Sequence, residues 1–279
     1  MASSPAVADG RVFVGSADRC LYALSAADGR LLWRVRTRKA VTASPLYLDG
    51  AVYFGSGDGG FRCVNAGDGT TRWEAAETGE ICAGAATSDG IVYYGDDSGS
   101  VMARSCADGK LLWSVHLQGS IVAAPMLAGG KLIVPVMSGT ALSPPPTQCI
   151  TVLDPANGRQ IWALTRGSSV LQTPVADQEY VYFATVSGYL SDTELFAYRL
   201  ADGTETWKQR LGGVADSSPL LAGDHLMFGN HDRNFYVVEK ATGNVAQTIA
   251  LGAKMYSSPA VSNGSIYVGA QDGKLYCLR

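Results

Sequence analysis

At 279 residues, with 47% apolar and 17% charged side chains and 33 glycines, the chain has enough apolar mass for a large core and needs many tight turns. Its formal charge of -3 is spread along the chain, which excludes the electrostatic footprint of a nucleic-acid binder or of a protein held on an anionic membrane. No apolar stretch is long enough to span a bilayer, so membrane insertion is not expected.

The opening residues Met1-Ala2-Ser3-Ser4-Pro5 carry no basic or apolar leader segment. The expected compartment is therefore the cytoplasm, or an extracytoplasmic one if a leader or anchor has been removed. Ser4-Pro5 begins a series continued by Ser44-Pro45, Ala124-Pro125, Thr173-Pro174, Ser218-Pro219 and Ser258-Pro259, with Gly84-Ala85 filling the gap. Turn pairs follow these anchors, as at Asp9-Gly10, Asp49-Gly50, Asp89-Gly90, Gly129-Gly130 and Asn263-Gly264. Such pairs tolerate the positive φ of a two-residue hairpin, so each predicts a strand on either side. The second strand is rich in β-formers: Val12-Phe13-Val14, Val52-Tyr53-Phe54, Val92-Tyr93-Tyr94, Val181-Tyr182-Phe183 and Ile266-Tyr267-Val268. A further turn leads to a third apolar run, Leu21-Tyr22-Ala23-Leu24 in the first unit and Leu275-Tyr276-Cys277-Leu278 in the last.

Another Gly turn introduces a fourth strand, which carries Trp33, Trp73, Trp113, Trp162 and Trp207 at one position, with Gln247 in their place in the sixth unit. A large flat ring recurring once per unit suits a seal between adjacent sheets. The pattern predicts an all-β, seven-bladed β-propeller of four-stranded antiparallel blades, one domain over 1–279 with blades near 3–42, 43–82, 83–122, 123–171, 172–216, 217–256 and 257–279. Arg279 directly follows a third-strand motif. Either the last blade has three strands, or a fourth comes from residues outside these 279 or from a partner chain, because an open strand edge offers unpaired N–H and C=O groups.

The six cysteines, Cys20, Cys63, Cys82, Cys106, Cys149 and Cys277, lie in different units with no C-x-x-C pair, which argues against zinc or redox chemistry. The histidines His116, His225 and His231 are too scattered for a metal site, and none is expected.

The combined signature, ending in stretches such as Ala23-Leu24-Ser25-Ala26-Ala27-Asp28-Gly29-Arg30-Leu31-Leu32-Trp33, resembles the PQQ-like repeat family and its tryptophan-docking motif. That resemblance implies a scaffold with several uses. Quinoprotein alcohol dehydrogenases hold a quinone and calcium in an eight-bladed version, BamB-type outer-membrane assembly lipoproteins use it as a protein-binding ring, and bacterial Ser/Thr kinases carry it as a sensor. The chain departs from the dehydrogenases in length, in short early loops and in lacking an adjacent Cys-Cys pair, so no quinone or calcium ligand carries over and no cofactor is expected.

Function in such a fold sits on variable connections of one face. Two of these are lengthened, 137–148 and 187–193, and polar residues projected onto the same face include Lys39, Glu80, Ser169, Tyr189, Asp192 and Lys254 as candidate ligand-binding groups. Asp216 and Tyr256 stand where other units have Thr42, Cys82, Val122 or Leu171. With His231 they are the candidate acid–base set if the protein is an enzyme. The favoured expectation is a binding propeller that grips a protein segment or small molecule at its channel mouth. The alternative is a cofactor-independent isomerase, lyase or cyclase acting at the same place.

Overall fold

A computed structural model describes residues 3–137, 147–166, 173–187, 192–215 and 217–279. The first sheet is β1 (Ala6–Ala8), β2 (Arg11–Gly15), β3 (Cys20–Ser25) and β4 (Leu31–Arg36), and the second is β5 (Leu46–Leu48), β6 (Ala51–Gly55), β7 (Gly60–Asn65) and β8 (Thr71–Ala76). The third is β9 (Ala86–Ser88), β10 (Ile91–Gly95), β11 (Ser100–Ser105) and β12 (Leu111–His116), and the fourth β13 (Met126–Ala128), β14 (Lys131–Pro135), β15 (Thr147–Leu153) and β16 (Gln160–Arg166). The fifth is β17 (Val175–Ala176), β18 (Tyr180–Ser187), β19 (Asp192–Arg199) and β20 (Glu205–Gly212), and the sixth β21 (Leu220–Ala222), β22 (His225–Gly229), β23 (Asn234–Glu239) and β24 (Val245–Ala250). The seventh has three strands, β25 (Ala260–Ser262), β26 (Ser265–Gly269) and β27 (Leu275–Leu278). These are the blades of an all-β, seven-bladed propeller whose last blade is three-stranded.

The local chemistry explains the repetition. Asp9 and Gly10 both have positive φ, 49° and 67°, the mirror-image turn that suits the twist of the flanking strands. Between third and fourth strands the register shifts beside the tryptophan position, at Ala23/Leu24, Cys63/Val64, Ala103/Arg104, Ala197/Tyr198 and Val237/Val238, a bulge that bends each outer strand.

Strands reach into both of the connections that the sequence marks as lengthened. β18 and β19 continue into the expected 187–193 loop, pairing Val186 with Thr193 and Ser187 with Asp192. The β-branched pair favours extended backbone, which the loop assignment overlooked. Likewise β15 begins at Thr147, inside the expected 137–148 connection. The rest of both connections, 138–146 and 188–191, lies outside the described residues.

Contacts group the chain into two compact units, one of Met1–Leu127, Leu132–Ser138 and Leu153–Arg159, the other of Ala128–Lys131, Gly139–Val152 and Gln160–Arg279. In the first, the core between successive sheets is built from Phe13, Leu21, Ala23 and Trp33 against Val52, Phe54, Val64 and Ala66. In the second, Leu195, Ala197 and Leu211 pack with Leu226, Phe228 and Val238. The sheets are thus held face to face by the apolar side chains that alternation points out of each pleat.

Candidate functional site

The residues singled out by sequence are positioned by a second, smaller repeat. Among the described residues, the chain leaving five of the outer strands is tied to the loop after the second strand of the following blade by a backbone hydrogen bond between residues seventeen apart. The Gly57 amide donates to the Ala40 carbonyl, Asp97 to Glu80, Met137 to Ser120, His231 to Val214 and Gln271 to Lys254, at 2.9 Å in each case. The residue after each exit position, Val41, Ile81, Ile121, Ala215 or Met255, is fully or almost fully buried. Met255 lies so close over Gly229 that no side chain fits there. A buried anchor with a bonded neighbour fixes where the adjacent side chains emerge.

In the first unit this frame brings Lys39 and Glu80 together, 2.6 Å apart and both exposed. The Glu80 hydrogen bond raises the Lys39 pKa. The Glu80 amide donates to the Asp97 carboxylate at 2.7 Å. The two predicted ligand-binding residues therefore satisfy each other.

In the second unit His231 and Tyr256 meet, with ring centroids 4.3 Å apart and planes tilted by 56°. The Met255 amide donates to the Asn230 carbonyl at 3.4 Å, so the segment bearing Lys254 and Tyr256 is tied to its neighbours on both sides. Tyr256 stays 47% exposed, a large aromatic at the surface, and Lys254 beside it is exposed as well. Asp192 is paired with Arg210, whose pKa its hydrogen bond raises. Asp216, Ser169 and Tyr189 lie outside the described residues.

Sequence reasoning missed two buried polar groups. Asn230 and Thr185 hold the same register in successive blades, as the pairings Leu220 with Met227 and Val175 with Tyr182 establish. Asn230 is fully buried; its amide nitrogen donates to the Gly212 carbonyl at 2.7 Å, while its oxygen and the Thr185 hydroxyl have no hydrogen-bond partner among the described residues. Unsatisfied buried polar atoms suit an internal water or a polar ligand atom. The available signal was the small polar residue that other units carry there, Ser16, Ser56 or Asp96.

A separate cleft of about 200 Å³ lies at the opposite end of the fifth and sixth blades, lined by Asp177, Glu179, Tyr180, Thr206, Trp207 and Lys240. Lys240 reaches Asp177 at 3.3 Å. Burial pushes the Asp177 carboxyl up, but the Glu179 and Tyr180 amides and the Lys240 ammonium outweigh it and hold its pKa below the usual value.

The sequence profile of a family described as outer membrane protein assembly factor BamB matches residues 1–84 and 62–279. The chain belongs to the BamB family. No curated protein sequence matches it closely enough to add a relative. Among solved structures, BamB from Moraxella catarrhalis superposes with a TM-score of 0.80 at 18% identity, covering 99% of this chain and 82% of that one. The computationally designed protein Ika8 gives 0.82 at 17% identity, with coverage of 99% and 82%. A europium-containing methanol dehydrogenase gives 0.72 at 15% identity, covering 98% of this chain and 72% of the enzyme. At these identities the likeness is one of fold, and the BamB-like propeller is a scaffold for binding proteins or ligands.

Proposed function

We propose that the protein is a binding propeller that grips a polypeptide segment at the exit-loop end of its sixth and seventh blades, with Tyr256 as the central contact and His231 and Lys254 beside it. The observation that carries this reading is an exposed tyrosine held rigidly against an imidazole by a backbone frame. Rigid, half-exposed aromatics are the side chains that dominate protein recognition. Membership of the BamB family supports the same reading. The exposure of Tyr256 favours recognition over acid–base catalysis, which works best where water is excluded. A second contact is the outer edge of β27, where a partner strand can add to the three-stranded blade. The cytoplasm is the proposed compartment, supported by free thiols at Cys20, Cys63, Cys82, Cys106 and Cys277.

The test is selection of binders from a displayed library of random dodecapeptides. Peptides selected on the parent should bind Tyr256→Ala about ten-fold or more weakly and bind His225→Ala, changed at the other end of the blade, as they bind the parent. Peptides indifferent to Tyr256→Ala refute the site. A small molecule that displaces them replaces the polypeptide as ligand while keeping the residues.

A further inference from the structure

Each tryptophan of the chain docks on the following blade, its indole N–H donating at 2.8 to 3.0 Å to the carbonyl of Ala66, Cys106, Pro155, Leu200 or Lys240. Three residues beyond each acceptor is a glycine, and a methyl group added to Gly69, Gly109, Gly158, Gly203 or Gly243 would lie 2.5 to 2.8 Å from the docked ring. Lys240 is the charged member of that acceptor series. Its ammonium reaches Asp177 at 3.3 Å. Asp177 in turn stands where strand pairing places Ala8, Leu48, Ser88, Ala222 and Ser262. Two registers that carry small or apolar residues in these other units thus turn ionic together, at the junction of β17–β20 with β21–β24.

The ion pair frames the cleft of about 200 Å³ at this end of the two blades. Asp177 accepts from four donors: the Glu179 and Tyr180 amides at 3.0 and 2.9 Å, the Tyr182 hydroxyl at 3.2 Å and Lys240. It thereby ties the hairpin turn, an aromatic wall and the dock of Trp207 together. The Tyr182 ring lies 6.4 Å from that of Tyr180 and 6.1 Å from that of Trp207, so three rings line the cleft. The Lys240 ammonium is shared with Asp224 at 3.7 Å. Glu179, exposed on the rim, makes no ion pair among the described residues. Three carboxylates therefore face one ammonium, and the cleft keeps an excess of negative charge. Burial pushes the Tyr182 hydroxyl up and the Asp177 and Glu179 carboxylates push it further, so it stays a neutral donor.

We propose that this cleft is a second binding site, separate from the one at Tyr256, and that it takes an alkylguanidinium group, either an arginine side chain of a polypeptide or a free small cation of the same chemistry. A volume of about 200 Å³ is below the roughly 300–1,000 Å³ of a site for a drug-sized molecule, so the occupant is one side chain or a ligand of that size. The missing counter-charge is positive. A guanidinium is flat and weakly hydrated, stacks on aromatic faces such as those of Trp207 and Tyr180, and offers a forked pair of N–H donors to the Glu179 carboxylate. An alkylammonium meets the charge but not the fork.

Calorimetric titration of the 279-residue chain at low ionic strength tests this with two probes, butylguanidinium and the peptide acetyl-Gly-Arg-Gly-amide. At least one should bind with a Kd of about 1 mM or tighter, and the tighter of the two names the source of the group. The same peptide with citrulline for arginine, equal in shape and uncharged, should not bind. Glu179→Gln, a change on an exposed turn that leaves the fold in place, should weaken binding about ten-fold, the loss of one charge-assisted hydrogen-bond pair. Tyr256→Ala should leave it unaltered. Failure of both probes, equal affinity for the citrulline peptide, or undiminished binding by Glu179→Gln overturns the proposal. So does binding that is lost in Tyr256→Ala, which would move the guanidinium to the opposite end of the blades. The reading of Tyr256 itself is decided separately, by the peptides selected there.

Discussion

The junction between the first and second blades and the junction between the sixth and seventh are made from the same repeat and differ in how they are held. The earlier one buries Trp33 with Phe13, Leu21, Ala23 and Val41 against four residues of the next blade, and the indole is bonded to the Ala66 carbonyl. The later one has exposed Gln247 at the tryptophan position, and its fully buried core is Phe235, Met255 and Val268. Met255 is both the central packing residue of this lighter junction and the neighbour of Tyr256. The candidate site is mounted on the lighter of these two junctions, so ligand binding there adds contacts where the repeat supplies fewer.

The largest effect should come from removing an indole at a full junction. Trp73→Ala, which empties a dock backed by Tyr53 and Phe61, is expected to destabilise by about 3–5 kcal/mol in chemical denaturation. A loss below about 1 kcal/mol would mean the indoles do not seal the blades.

Next is the charge network of the second blade. Burial pushes the Asp58 carboxyl up, but the Ser56 hydroxyl, the Arg38 amide, the Arg62 guanidinium and the Gly60 amide hold it well below the usual carboxylate range. Arg62 is itself buried and also bonds Glu74 at 2.7 Å. Asp58→Asn should cost about 3 kcal/mol at neutral pH by leaving a buried guanidinium underpaired. Because the folded pKa is depressed, this contribution is complete above the unfolded value of about 3.9 and declines as pH falls below it toward the folded pKa. The variant should therefore show a shallower acid loss than the parent below about pH 4, read from denaturation midpoints across pH.

Met255→Ala is expected to cost about 2 kcal/mol, at the low end for a buried methionine because little surrounds it, and to weaken ligand binding through the displaced Tyr256. Unchanged binding in a variant that has lost this stability would uncouple site from junction. The smallest effect belongs to Gln247→Ala, expected within about 0.5 kcal/mol of the parent, since an exposed glutamine seals nothing.

These expectations also mark what was legible in the sequence. Blades, hairpins and docks are local events: Asp9-Gly10 sets a turn by its own backbone preference, and Trp33 recurs at a fixed distance from a glycine, so both can be read along the chain. The register of Tyr256 with Thr42 and Cys82 was legible for the same reason. Side-chain pairings between separate strands or blades were not. Lys39 finds Glu80 forty-one residues away and Asp192 finds Arg210 across a strand pair, and nothing in either neighbourhood announces the partner. The frame that places Lys39 and Glu80, backbone bonds between exit segments and second-strand loops, uses no distinctive side chain and leaves no residue signature.

The most direct test of the account is the affinity of a parent-selected peptide for Tyr256→Ala, measured by calorimetry beside the melting curve of the same variant. The account predicts binding about ten-fold or more weaker with melting unchanged, because Tyr256 is exposed and its loss removes contact area from the ligand and not from the core. Undiminished affinity in a normally folded Tyr256→Ala protein would contradict it.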